Sequence, residues 1–214
     1  MIAVTFAHPS ESRDFVRLAR PRPNEIKIFH TGVGGKACRE QLEPFLESQS
    51  IDLLISSGFA GGIDSSLGVG DLLLAENYSA PPFLARAREI LIARVGKLAT
   101  ADRVIEGEAN RERFALEHHA VAVDMETEWI ARACAAHQIP MLSLRAISDT
   151  AAAPFPAPPH VLFDLQRQRT NHFQLARYLI THPLAIAGLT RFARQVSSAR
   201  ASLTSGVALL VREL

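Results

Sequence analysis

The chain has 214 residues, 48% of them hydrophobic and 7% aromatic, which suits one globular domain with a sizeable core and excludes a disordered chain. Its 23 basic residues face 22 acidic ones, a formal net charge of +1. Nothing in that balance attracts phosphate backbones in general, and no nucleic-acid partner is expected.

The chain opens on a β-branched apolar run over residues 2–6, which is too short for a signal-peptide core and breaks at His8-Pro9. Further strands are expected over 25–30, 52–57, 71–76, 89–100 in one or two pieces, 120–123 and 141–147. Helical periods fall over 10–19, 36–47, 108–117 and 125–137, and through most of the region beyond Leu162. Alternation of this kind predicts an α/β fold, a three-layer αβα sandwich in a single domain, with 1–160 as its core and 161–214 as a helical extension of the same domain. No apolar stretch approaches the roughly 18 to 20 residues that span a bilayer. Cys38 and Cys134 show no metal-ligand spacing and read as two buried thiols in a reducing, cytoplasmic setting.

Pro154, Pro156, Pro158 and Pro159 make 151–160 a stiff loop directly after the last expected strand. Ligands of open α/β sheets bind outside the carboxyl ends of strands, so this loop could border a pocket. In the tail, Leu189, Phe192, Val196, Leu203, Val207, Leu210 and Leu214 make one helical face, accompanied by Arg191, Arg194, Arg200 and Arg212. The face reads as packing on the domain or a partner subunit, with a peripheral membrane contact as the alternative.

Two glycine clusters stand at strand ends, Gly32-Val33-Gly34-Gly35 and Gly58-Phe59-Ala60-Gly61-Gly62. Each could bring backbone N–H groups close to a ligand. Neither is a Walker loop or a dinucleotide fingerprint. Glu11, Glu126 and Asp149 all flank the same expected edge of the sheet, although solvated acids and helix-terminal charge would also explain them. The scattered histidines form no HExxH or His/Cys cluster, so neither a metal nor a cofactor is expected.

The ordered set Thr31-Gly32-Val33-Gly34-Gly35-Lys36-Ala37, Ser57-Gly58-Phe59-Ala60-Gly61-Gly62, Val123-Asp124-Met125-Glu126 and Arg145-Ala146-Ile147-Ser148-Asp149 resembles the purine nucleoside phosphorylase and nucleosidase superfamily. It is most similar to the methylthioadenosine/adenosylhomocysteine nucleosidases. The resemblance covers residues 1–151 and implies a central mixed sheet between helices, a small nucleoside as substrate, and a homodimer or higher homo-oligomer. It implies that Asp149 protonates or hydrogen-bonds N7 of the leaving purine with Ser148 beside it. Glu126 would hold the ribose hydroxyls, with Met125 against the sugar. Cleavage of an N-glycosidic bond builds positive charge on ribose and negative charge on the base, which suits such a set. For Asp149 to act as an acid at neutral pH, desolvation would have to keep it protonated.

Glu11, in Ala7-His8-Pro9-Ser10-Glu11, falls in register with the water-activating glutamate of the nucleosidases, while His8 replaces the family's methionine. Val104 and Ile105, with Phe59, Ala60, Gly61 and Ser148, are the implied purine contacts. His8 and Phe155 are the implied 5′-group pocket. Phosphorylases of the superfamily place an arginine where this chain has Ser56, so hydrolysis is favoured, with phosphorolysis through Arg13 or Arg17 and a non-catalytic nucleoside-binding module as alternatives. The later motifs, from Val123 to Arg191-Phe192-Ala193, are similar to the hopanoid-associated branch, which removes adenine from adenosylhopane.

Overall fold

A computed structural model of the chain describes residues 1–19, 26–154, 157–158, 161, 168, 172–182 and 185–214. Strands β1 (Ile2–Phe6), β2 (Ile26–His30), β3 (Leu53–Gly62), β4 (Leu72–Ala75), β5 (Arg94–Gly96), β6 (Leu98–Thr100), β7 (Ala122–Asp124) and β8 (Met141–Asp149) form one eight-stranded sheet. Its main order is β2-β1-β3-β8-β4-β5, with β7 on the far end of β3 and β6 on β7. The sheet is mixed. β1 is parallel to β2 and β3, and β3 to β8, whereas β4 runs antiparallel to β8 and β7 to β3.

Helices cover both faces, as buried strands require. On one face lie α1 (Pro9–Ala19), α3 (Pro81–Ile90) and the long α7 (Ala185–Glu213). Phe15, Ala87, Ala199, Leu203, Val207 and Leu210 pack there against Val4, Ile55, Leu142 and Leu144. On the other face, α2 (Gly35–Ser48) and α5 (Thr127–Ala136) bury Cys38, Leu42, Leu46, Ile130 and Cys134 against Ala3, Leu54 and Met141. Helix α4 (Glu108–His118) lies between β6 and β7 in the chain, and α6 (His172–Thr181) precedes α7. The fold is thus the αβα sandwich expected. Burial pushes both thiols up to about 12, which keeps them unreactive.

Three expectations change. The stretch 89–100 holds two short strands, β5 and β6, as one of the two alternatives had it, but they start only at Arg94, and Glu89 and Ile90 close an unexpected helix, Pro81–Ile90, whose prolines at the first two positions start a helix rather than break one. Strand β3 runs five residues past Ser57, so the second glycine cluster lies within the strand and not in the turn after it. The tail face serves two purposes, since Leu203, Val207 and Leu210 are core whereas Phe192 and Val196 line a cavity. Among the described residues no helix is long and apolar enough to cross a membrane.

Candidate active site

A cavity of about 340 Å³ opens at the carboxyl ends of β1, β3 and β8. Its lining includes Glu11, Phe59, Ala60, Gly61, Val104, Ile105, Met125, Glu126, Ser148 and Asp149, so ten of the residues singled out from sequence meet in one place. His8 is not on that wall. Its ring turns back to Ser10, with Nδ1 2.8 Å from Ser10 Oγ at the start of α1, and Ser10 lines the cavity instead. Phe155 lies outside the described residues. A larger cavity of about 920 Å³ lies between α4 and α5 and shares Arg103, Val104 and Ile105 with the first, but none of the three carboxylates lines it.

Glu11 stands in the first turn of α1, where its Oε2 accepts from the backbone N–H of Ala7 at 3.0 Å and of His8 at 3.3 Å. Burial pushes its carboxyl up to about 7, a rise opposed by these backbone donors and by the Arg145 charge. Glu126, at the N-terminal boundary of α5, accepts from the Gly34 N–H at 2.6 Å through Oε1. Burial, then the neighbouring negative charges of Asp124 and Glu11, raise it to about 8. Both glutamates therefore titrate near neutrality, where a proton can be taken or given at low cost.

The second glycine cluster owes its composition to two of these acids. A Cβ on Gly58 would come within 3.3 Å of Glu11 Oε2, and one on Gly61 within 3.2 Å of Asp149 Oδ2. The carboxylates lie against bare backbone. Strand β8 adds a bulge: Ala60 pairs with Ile147 but Gly61 with Asp149, which leaves Ser148 as the extra residue. That break in alternation lets Ser148 Oγ donate to Asp149 Oδ1 at 2.9 Å.

Asp149 faces a guanidinium rather than an apolar wall. Arg111 of α4 pairs with its Oδ2, and donates to Gly62 O and Ile105 O at 3.1 Å each. Asp149 is thus half of a buried pair with Arg111, a partner the expectation of desolvation alone did not include. Arg111 has no sequence signal, because a charged residue within Glu108-Ala109-Asn110-Arg111-Glu112-Arg113 reads as part of a solvated face. Arg145 is equally buried and fully engaged. Its Nε donates to Asp124 Oδ2 at 2.9 Å, Nη1 to Ser56 O at 2.7 Å and Nη2 to Ser56 Oγ at 2.8 Å, with Thr127 Oγ1 as a further partner. Arg13 and Arg17 sit on the exposed side of α1 near Asp14, away from the cavity lining.

Ala7, Arg103, Val123, Asp124, Phe192 and Val196 also line the wall, as does Val33 of the first glycine cluster. Among the described residues no group of three His, Cys, Asp or Glu is arranged to hold a metal ion.

A family model described as the phosphorylase superfamily matches residues 80–181. The 5′-methylthioadenosine/S-adenosylhomocysteine nucleosidase of Staphylococcus aureus (strain MRSA252) is 24% identical over 161 residues, 61% of this chain and 71% of the relative. Among solved structures, the native futalosine hydrolase of Helicobacter pylori strain 26695 superimposes with a TM-score of 0.75 at 17% identity, covering 100% of this chain and 97% of that one. The 5′-methylthioadenosine/S-adenosylhomocysteine nucleosidase from the same species, with butyl-thio-DADMe-Immucillin-A, gives 0.75 at 17% identity over 100% and 98%.

Proposed function

We propose that this chain, whose residues 80–181 match the phosphorylase superfamily model, hydrolyses the N-glycosidic bond of a purine nucleoside and releases adenine from a 5′-substituted adenosine. The observation that carries this reading is the convergence of Glu11, Glu126 and Asp149 on one otherwise largely apolar cavity. As C1′–N9 breaks, its electron pair leaves with the base and the ribose becomes cationic. Glu126 accepts the ribose hydroxyls, and its negative charge favours the cation. Glu11 takes a proton from the water whose oxygen bonds to C1′. Ser148 and Asp149 meet the purine edge together with Val104 and Ile105, and the proton that neutralises the base reaches N7 through Asp149, with the Arg111 charge nearby.

Water is favoured over phosphate because, of the arginines near the cavity, Arg145 is consumed by Ser56, Asp124 and Thr127 and Arg111 by Asp149, while Arg13 and Arg17 are off the wall, which leaves the exposed Arg103 as the lining guanidinium a phosphate would have to use. Phosphate recognition needs an available guanidinium or ammonium donor. The apolar wall of Val33, Phe59, Phe192 and Val196 suits an apolar 5′ group, either an alkylthio substituent or a lipid-linked one of the adenosylhopane type. We take the active form to be a homodimer or larger homo-oligomer in the cytoplasm.

The test is adenine release, followed by chromatography, from 5′-methylthioadenosine, S-adenosylhomocysteine, adenosine and an adenosylhopane mimic, each with and without phosphate. Phosphate-independent release is expected, and Asp149→Asn should lower turnover by at least about 100-fold while leaving binding intact. Release only with phosphate would replace hydrolysis by phosphorolysis. Binding without turnover in the unsubstituted protein would leave a nucleoside-binding module.

A further inference from the structure

The turn Gly32-Val33-Gly34 has glycine at φ +77° and +87° on either side of Val33. Such a pair gives the intervening peptide groups wide freedom, because neither flanking residue restricts φ to one sign. The Val33 backbone is nevertheless held at both polar atoms by one side chain. Gln168 Oε1 accepts from Val33 N at 2.7 Å and Gln168 Nε2 donates to Val33 O at 2.9 Å. The residues are 135 positions apart. This two-point contact is the hydrogen-bond pattern that a neighbouring strand would offer. The next N–H along the turn, that of Gly34, is the one bonded to Glu126 Oε1 at 2.6 Å.

We propose that Gln168 is a positioning residue for ribose recognition: by clamping Val33 between two glycine hinges it aims the Gly34 N–H at Glu126, and so fixes the carboxylate that receives the sugar hydroxyls. The inference rests on the reading of Glu126 as the ribose-binding group and adds to it the device that orients it. One lone pair of Oε1 is occupied by Gly34, which leaves Oε2 and the remaining lone pairs aligned for two adjacent hydroxyls. The Gly34 donor also opposes the upward push on the Glu126 carboxyl. Without the clamp, the carboxylate would lose its orientation and hold a proton to higher pH.

The experiment is a chemical double-mutant cycle on the full chain. Gln168→Ala removes both bonds, and Gln168→Glu keeps the acceptor but cannot donate to Val33 O. Each is assayed on adenosine and on 2′,3′-dideoxyadenosine, which lacks the hydroxyls that Glu126 would receive. The expected result is a drop in kcat/KM of about 10-fold on the ribonucleoside and less than about threefold on the dideoxynucleoside, the difference measuring coupling between Gln168 and the hydroxyls. Exchange of the Val33 and Gly34 amide protons, read without substrate by peptide mass spectrometry, should quicken at least about fivefold in Gln168→Ala and less in Gln168→Glu, which keeps the acceptor of the Val33 N–H. Equal losses on both nucleosides would overturn the proposal, as would unchanged amide exchange. If the unsubstituted protein releases no base from any purine nucleoside, the enzymatic reading fails, and with it the ribose role of the clamp. Faster exchange would then mark Gln168 as a structural tie only.

Discussion

Replacing Arg111 by Met keeps the length and apolar stem of the side chain and removes its charge. The Arg111 and Asp149 side chains are 5% and 3% exposed, so the substitution strands a carboxylate out of water. Breaking such a pair from one side costs about 3–5 kcal/mol. The carboxylate can escape this cost by taking up a proton. That escape costs about 1.4 kcal/mol per pH unit above the unfolded value of about 3.9, or roughly 4 kcal/mol at pH 7 and 1.5 kcal/mol at pH 5. Gly62 O and Ile105 O also lose their donor, adding about 1 kcal/mol each at both pH values. A proton taken up on folding makes stability fall as pH rises. Urea denaturation should therefore show a destabilisation of about 6 kcal/mol at pH 7 and about 3.5 kcal/mol at pH 5. The double variant Arg111→Met with Asp149→Asn carries no stranded charge and should recover at least about 2 kcal/mol at pH 7. A destabilisation equal at both pH values, or a double variant no better than the single one, would refute the buried ion pair.

Two further outcomes test the neighbouring elements. A Cβ on Gly35 would lie 2.2 Å from Nε1 of Trp129, whose ring is flanked by Arg39 at 4.4 Å and Arg132 at 5.1 Å. Gly35→Ala should cost about 1–3 kcal/mol and shift the emission of this single tryptophan. Gly34→Ala meets no atom within 4 Å and should cost only about 1–2 kcal/mol of backbone strain, without changing the spectrum; identical spectra for the two variants would contradict the packing described. Glu11, raised to about 7, and Glu126, raised to about 8, should make stability decline as pH rises from about 4.5 to about 8, because over that span the folded state holds protons the unfolded chain has released. His8 and His30, lowered by burial, give the opposite slope up to their ordinary value of 6.5, so the decline stands alone above it. Glu126→Gln should flatten the decline, and kcat/KM should climb through about pH 7 as Glu11 ionises. Melting curves unchanged between about pH 6.5 and 8 would count against both raised carboxyls.

The parts of this fold legible in the sequence are those where burial leaves a periodic trace. Strands β1 and β8 read as mainly apolar runs, buried along almost their whole length because helices cover both their faces. Glu11 and Asp149 could be marked because they stand just after or at the end of such runs, and Glu126 because it opens a helical period. Helix α3 was illegible because Pro81-Pro82 looks like a breaker unless the helix begins there. The glycines of β3 looked like a turn because the reason for their small size, two carboxylates resting on the strand, lies elsewhere in the chain. Arg111 and Gln168 left no trace at all. A single buried polar residue has no period, and its partners are fixed by tertiary placement alone.

Helix α7 has a further consequence. Its 29 residues make a rod about 43 Å long. From Ala199 onward it is pinned into the core, and the Arg200 bond to Asp14 at 2.8 Å fastens it to α1 at the same level. Phe192 and Val196 are carried on the arm beyond that fulcrum, where the described side chains are partly or fully exposed. Phe192 lies about 10 Å from Ala199 along the axis, so tilting the rod by about 5° moves its ring by roughly 1 Å. The depth of the cavity therefore depends on the contact between Asp14 and Arg200, although neither residue lines it.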